Sequence, residues 1–111
     1  MKKLSLATCQ LLLEVFSSQE DQIEAARTLA NECADNLPFM EYQEEYALEP
    51  VRFAVMKLSR GSIAEFRWWV NLAKTDWRGV LAAAGFDASP TAYQAWAAMT
   101  YGITSTKPSG T

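Results

Sequence analysis

Apolar residues recur along the chain at the three- and four-residue spacing of an α-helix, and no segment alternates with the period of a β-strand. The first stripe consists of Leu4, Leu11, Leu12, Val15 and Phe16. The pattern predicts helices over about residues 3–16, 19–35, 50–59, 63–74, 76–84 and 90–101. Within the second helix, the predicted inward face consists of Ile23, Ala26, Ala30 and Cys33.

Residues at the predicted helix ends match known capping patterns. Ser18 is followed three residues later by Asp21, and Ser62 by Glu65, the spacing of a capping box. Gly61 follows the helix over 50–59, in the place where a left-handed residue commonly ends a helix. Gly85 has the same role in the prediction, with the following Phe86 folding back onto the core.

Three further boundaries are predicted from single residues. Thr75 is predicted to cap the helix over 76–84, and Ser89-Pro90 to open the last helix. Pro50 is predicted to end or kink whatever precedes it, because a proline disfavours the helical conformation of the residue before it. Residues 38–49 therefore stay open between helix and loop.

These elements predict an all-α fold, a single compact domain of five to six short helices in an irregular antiparallel bundle. A chain of 111 residues, half of them apolar, is long enough for one core. We expect the helical domain to span residues 1–101. Residues 102–111 lose the apolar period and are expected to form a flexible tail.

Residues 64–86 hold three tryptophans and two phenylalanines, so the helix over 63–74 is apolar around most of its circumference. Such a helix is usually central and buried from two sides. Phe66, Trp69 and Trp77 are predicted to be core. Trp68 and Leu72 lie on a separate face, and if the domain packs on only one face of this helix they form an exposed patch for a partner.

Charge divides the chain into two unequal halves. The net charge is −3, but residues 1–49 carry three bases against ten acids, and residues 50–111 carry seven bases against three acids. Either the halves pack together and partly neutralise each other, or the first half offers an acidic face to a basic partner. Glu41, Glu44 and Glu45 would converge on one helical face, as a solvated surface, a docking patch or, least favoured, a metal site.

The sequence contains none of the residue patterns that would predict an enzyme or a cofactor site. The absence of histidine excludes Ser–His and Cys–His pairs, so no catalytic residue, metal or cofactor is predicted. Cys9 and Cys33 form no metal-binding pattern and are predicted to be buried thiols. A disulfide between them stays open, because both lie on predicted helices that could be neighbours. The acidic balance disfavours nucleic-acid binding.

The first residues resemble a signal peptide only superficially, because Gln10 and Glu14 interrupt a short apolar run. No stretch reaches the length of a membrane span. We therefore expect a soluble, cytoplasmic protein that does not bind membranes.

The function predicted from these features is a non-enzymatic protein-interaction module. Small size and acidity favour a binder or inhibitor of a basic protein, of the kind represented by immunity proteins and antitoxins. The predicted partner-binding residues are Glu41, Glu44, Glu45, Trp68 and Leu72. The alternatives are a homo-oligomer, such as a homodimer, that associates through Trp68 and Leu72, and a small enzyme or ligand carrier with an aromatic-lined pocket.

Overall fold

The computed structural model describes residues 4–33 and 48–103, and these form helices without any β-strand. The all-α prediction is therefore confirmed. The helices are α1 (Leu6–Val15), α2 (Gln19–Glu32), α3 (Leu48–Ser59), α4 (Ile63–Ala84) and α5 (Ala92–Tyr101). They pack as one compact unit, in which α3 contacts α1, α4 and α5, and α2 packs against α1 and α4.

The predicted helix ends between α1 and α4 are mostly confirmed. The Ser18 hydroxyl accepts the Asp21 N–H at 3.1 Å, and the Ser62 hydroxyl accepts the Glu65 N–H at 3.3 Å. Gly85 is left-handed at φ 81°, and the following N–H, that of Phe86, bonds back to Leu81 at 2.8 Å. Phe86 is buried, as the apolar residue after such a stop should be.

The two helices predicted over 63–74 and 76–84 follow each other without a loop, and the predicted cap between them is wrong by one residue. Asp76, not Thr75, leaves the helical conformation, at φ −145° and ψ 58°. Its carboxylate accepts the Gly79 N–H at 3.1 Å. A Cβ at Gly79 would lie 2.2 Å from the same carboxylate, so glycine permits this close cap. An aspartate is a stronger cap than a threonine, which explains why Asp76 and not Thr75 caps the second part of α4.

The predictions drawn from the two prolines are also corrected. Pro50 does not exclude Glu49 from the helix, since α3 begins at Leu48. A proline is tolerated in a first helical turn because the N–H it lacks has no partner within the helix. α5 begins at Ala92 rather than at residue 90, after a turn in which the Ser89 carbonyl accepts the Ala92 N–H at 3.3 Å.

The end of α5 is ordered beyond the predicted boundary. Gly102 is left-handed at φ 72°, and Ile103, assigned above to a flexible tail, is buried. The Ile103 N–H bonds to the Ala97 carbonyl at 3.3 Å. The helical domain therefore extends at least to residue 103, and residues 104–111 lie outside the described part of the chain.

The central helix is α3 and not the tryptophan-rich helix α4, so that prediction is wrong. Residues 51–56 of α3 are buried without interruption. α4 instead buries one face, formed by Phe66, Val70, Ala73, Trp77, Val80 and Ala84. Phe66 and Trp77 are core as predicted, whereas Trp69 is only partly buried at the edge of this face.

The buried face of α2 differs from the predicted one. Its buried residues are Ala25, Thr28 and Leu29, followed by Cys33 just past the helix. Ile23, predicted to face inward, is 51% exposed. Of the predicted face, Cys33 is fully buried and Ala26 packs partly buried against the core. The fully buried side of α2 is instead the one that carries Ala25, Thr28 and Leu29.

Two cations of α3 bind the carboxyl ends of other helices. Arg52 is 3% exposed, and its guanidinium donates to the carbonyls of Leu29 at 3.2 Å and Cys33 at 3.0 Å, at the end of α2. Lys57 donates to the Ala84 carbonyl at 2.6 Å, at the end of α4. The carbonyls of Cys33 and Ala84, at the helix ends, have no donor within their own helices. They also carry partial negative charge, so a cation stabilises each helix end by donating a hydrogen bond and by opposing that charge.

We expect Arg52→Met to destabilise the protein strongly, because it keeps the apolar stem but removes the donors from two carbonyls. The expected loss is about 1–3 kcal/mol, the cost of leaving the buried Cys33 carbonyl without a donor. Arg27→Met is the matched control, since Arg27 is an exposed arginine of α2. Urea unfolding of both variants measures the difference, and equal midpoints would show that the buried guanidinium contributes no stability.

Candidate functional site

Trp68 is a large aromatic side chain on the outer surface of α4. It is 58% exposed, while Leu72, one helical turn further along, is partly buried. α4 thus packs on one face only. The sequence predicts an exposed patch at Trp68 and Leu72 in that case. We call this surface the Trp68 patch, consisting of Glu65, Trp68 and Leu72.

The Trp68 indole is held in place by its neighbour. The ring of Trp69 lies edge-on to it, with centroids 4.8 Å apart and an interplanar angle of 84°. Trp69 itself packs against the core, and its Nε1 is buried without an acceptor among the described residues. Trp68 is therefore fixed both by a helix and by an edge-to-face contact, a favourable geometry for two aromatic rings.

Glu65 brings a negative charge to the Trp68 patch. It is exposed and precedes Trp68 by three residues on the same helix, so the carboxylate and the indole are surface neighbours. The sequence pattern predicts Glu65 as part of the cap of α4 and does not include it among the partner-binding residues. The helical spacing to Trp68 was the signal that could have identified it.

The charge asymmetry between the two halves of the chain is partly neutralised within the fold. Arg67 of α4 pairs with Glu24 of α2, its Nε lying 3.1 Å from the carboxylate. Lys74 of α4 pairs with Glu32 of α2 at 2.9 Å. Two of the bases on α4 are thus occupied by acids of the first half, as the first interpretation of the charges expected.

The remaining predicted partner-binding residues are not placed by the structure. Glu41, Glu44 and Glu45 lie in residues 34–47, outside the described part of the chain. Their assignment to a partner-binding surface stays a prediction, and so does their position relative to the Trp68 patch.

A second feature is a cavity of about 600 Å³ between the start of α3, the second half of α4 and α5. Its apolar lining includes Pro50, Trp77, Leu81, Phe86, Pro90 and Tyr93. The ionisable side chains Arg78 and Asp87 and the hydroxyl of Ser89 also line it. The sequence assigned these aromatics to a core, and only the packing of α5 on α3 arranges them around a cavity. We call it the aromatic pocket.

Tyr93 is the most constrained wall of the aromatic pocket. Its hydroxyl donates to Glu49 at 2.9 Å, and its ring meets Phe53 edge-on at 4.9 Å. The other oxygen of the Glu49 carboxylate accepts from Ser5, the cap of α1. Burial, and then the adjacent Glu49 charge, raise the pKa of Tyr93 well above its usual value. Tyr93 is therefore a neutral donor at physiological pH.

The described residues contain no group of three potential metal ligands, and none of their helices is long and apolar enough to cross a membrane. Cys9 and Cys33 are both free thiols, so no disulfide joins them. Cys33 is buried as predicted, but Cys9 is exposed, so the prediction of a buried thiol is wrong there. Burial raises the pKa of Cys33 to about 12, so this thiol is not poised as a nucleophile.

Comparisons of the chain with protein-family models, with curated proteins and with solved structures gave no match.

The Tyr93–Glu49 hydrogen bond predicts that part of the stability of the fold is lost at alkaline pH. At neutral pH, Tyr93→Phe should cost about 1.5–3 kcal/mol, the range for a hydrogen bond to a charged group. Because the pKa of Tyr93 is raised in the folded state, this advantage is complete below about pH 10 and declines above it, where the unfolded chain releases the proton first.

Urea unfolding between neutral and alkaline pH measures the effect, with Tyr101→Phe as the control at a partly exposed tyrosine. The difference in the free energy of unfolding between wild type and Tyr93→Phe should become smaller as the pH rises past 10. A difference that stays constant with pH, or the same difference for Tyr101→Phe, would contradict a stabilising Tyr93–Glu49 hydrogen bond.

Proposed function

We propose that this protein is a non-enzymatic interaction module that binds a basic protein partner through the Trp68 patch. The observation that carries the proposal is the 58% exposure of Trp68 on a packed helix. An exposed tryptophan on a rigid element is costly to keep in water, and tryptophan is among the residues that dominate binding energy at protein interfaces.

The geometry around Trp68 favours binding with little loss of entropy. The indole is braced by Trp69, so docking a partner on it would not require a new side-chain conformation to be selected. Leu72 extends the apolar surface by one helical turn. A central aromatic anchor beside an aliphatic residue and a charged rim is the usual composition of an interface hot spot.

The charges support a basic partner rather than an acidic one. Arg67 and Lys74, the bases of α4 nearest the patch in sequence, are already paired with acids of α2. Glu65 is therefore the charged member of the Trp68 patch itself, and the exposed Arg60 lines a neighbouring groove together with Glu65 and Trp69. A lysine or arginine of the partner could contact both the Glu65 carboxylate and the face of the Trp68 indole. An inhibitor of the immunity or antitoxin kind would use such a surface.

The first test measures whether Trp68 anchors a partner. The tagged protein is used to capture partners from the cells that encode it, and the main partner is then purified and titrated against variants. We expect a basic protein whose dissociation constant rises about 30-fold or more for Trp68→Ala, corresponding to the loss of about 2 kcal/mol or more at a hot spot.

Met99→Ala is the matched control, because Met99 is an apolar side chain of α5 that is 87% exposed and far from the patch in sequence. It should leave the affinity unchanged. A partner that binds Trp68→Ala as tightly as wild type would exclude the patch. A wild-type dimer that Trp68→Ala converts to a monomer would instead make the partner a second copy of the chain.

The second test concerns the acidic residues predicted from the sequence. With the purified partner, the association rate should fall steeply as salt rises, because exposed charges are screened beyond about 8–10 Å. The triple change Glu41→Lys, Glu44→Lys and Glu45→Lys should slow association further, and Glu65→Lys should do so independently.

Arg27→Gln serves as the control, since it removes an exposed charge of opposite sign and should not slow binding of a basic partner. Stopped-flow or surface-based kinetics at several salt concentrations give the rates. If neither salt nor the triple change alters the association rate, the acidic residues are not part of the interface, and only the Trp68 patch stays as the proposed binding surface.

A further inference from the structure

The aromatic pocket is distinct from the Trp68 patch, since Trp68 is not among the residues that line it. We propose that this pocket is a binding site for a small, uncharged aromatic molecule. The proposal is independent of the protein partner above, because neither site contributes a residue to the other.

The size and lining of the pocket are those of a small-molecule site. Its volume of about 600 Å³ lies within the range of about 300–1,000 Å³ that such sites occupy. Trp77, Phe86 and Tyr93 are buried side chains that form its floor, whereas Asp87 and Ser89 are exposed at its rim. A ligand would therefore meet aromatic rings inside and polar groups only at the mouth.

The aromatic walls are held by contacts that do not depend on a ligand. Tyr93 is fixed by Glu49 and by the edge of Phe53. The Phe86 ring lies 5.0 Å from Lys57 Nζ, and the guanidinium of Arg78 lies 4.3 Å from the centre of the Trp77 ring. Because the walls are positioned in advance, a planar ligand would pay little for ordering them.

The charges at the rim select against a charged ligand. The ionisable groups that line the pocket, apart from the tyrosine, are one cation, Arg78, and one anion, Asp87. They offer no net attraction to either sign of charge, and a charged group moved onto the aromatic floor would lose its hydration. Aromatic side chains, in contrast, line several walls of the pocket and can contact the ring of a ligand. The chemistry therefore fits an uncharged aromatic molecule, with Ser89 as a hydrogen-bonding group at the mouth.

Two fluorescent probes with the same skeleton test this directly. N-phenyl-1-naphthylamine is uncharged, and 8-anilinonaphthalene-1-sulfonate adds one sulfonate to the same rings. We expect saturable binding of one uncharged probe per protein, with a dissociation constant lower by about tenfold or more than that of the sulfonate, because only the sulfonate loses ionic hydration.

The position of the bound probe is tested with a substitution at the rim that fills the pocket. Ala88 is exposed and lines the pocket, so Ala88→Trp should place an indole inside it and weaken the uncharged probe by about tenfold or more. Ala95→Trp adds the same side chain at an exposed position of α5 outside the lining and should change nothing. Thermal melting of both variants establishes that they are folded.

Amide shifts in a two-dimensional nuclear magnetic resonance spectrum locate the probe without any substitution. They should change at Leu81, Phe86 and Tyr93, and not at Trp68. The proposal is overturned if the uncharged probe does not saturate, if the sulfonate binds as tightly, or if Ala88→Trp has no effect. It is also overturned if Trp68→Ala abolishes probe binding, since the probe would then report the Trp68 patch.

Discussion

The buried guanidinium of Arg52 is the interaction on which the arrangement of helices depends. An arginine with 3% exposure is destabilising unless its donors are satisfied, and here they bind the last carbonyls of α2. The Cys33 carbonyl in turn needs a donor, because it has no partner in its own helix. The guanidinium and the carbonyl therefore offset each other's cost of burial. This mutual requirement fixes where α2 ends against the middle of α3.

α3 repeats this arrangement along its length, which explains why it is the central helix. Lys57 binds the end of α4, and Glu49 accepts hydrogen bonds from Ser5 at the start of α1 and from Tyr93 of α5. Three charged side chains of one helix thus reach the other four helices. With α3 occupying the interior, α4 has core to pack against on one side only, and Trp68 is left on the outside.

The two candidate sites differ in how far the sequence predicts them. The Trp68 patch follows from helical spacing, because Trp68 and Trp69 must lie on different faces of one helix, although the sequence did not decide which helix is central. The aromatic pocket could not be predicted in this way. Its walls come from α3, α4, α5 and the connection between α4 and α5. The hydrogen bond that holds Tyr93 joins residues 44 positions apart. The stripe of Tyr93 on α5 indicates only that the residue faces inward.

What the sequence alone determined is the set of local interactions: helical content, the caps at Ser18 and Ser62, and the stop at Gly85. Gly61 is left-handed after α3 as predicted, although that conformation already begins at Arg60. Each of these features depends on residues within a few positions, so the pattern of residues is sufficient to predict it. Only the tertiary structure decided that Arg52 is buried and that α3 is central. The acceptors of Arg52 lie 19 and 23 residues away, in another helix. Such partners are chosen by the packing of whole helices, and the helical periodicity of α3 carries no information about them.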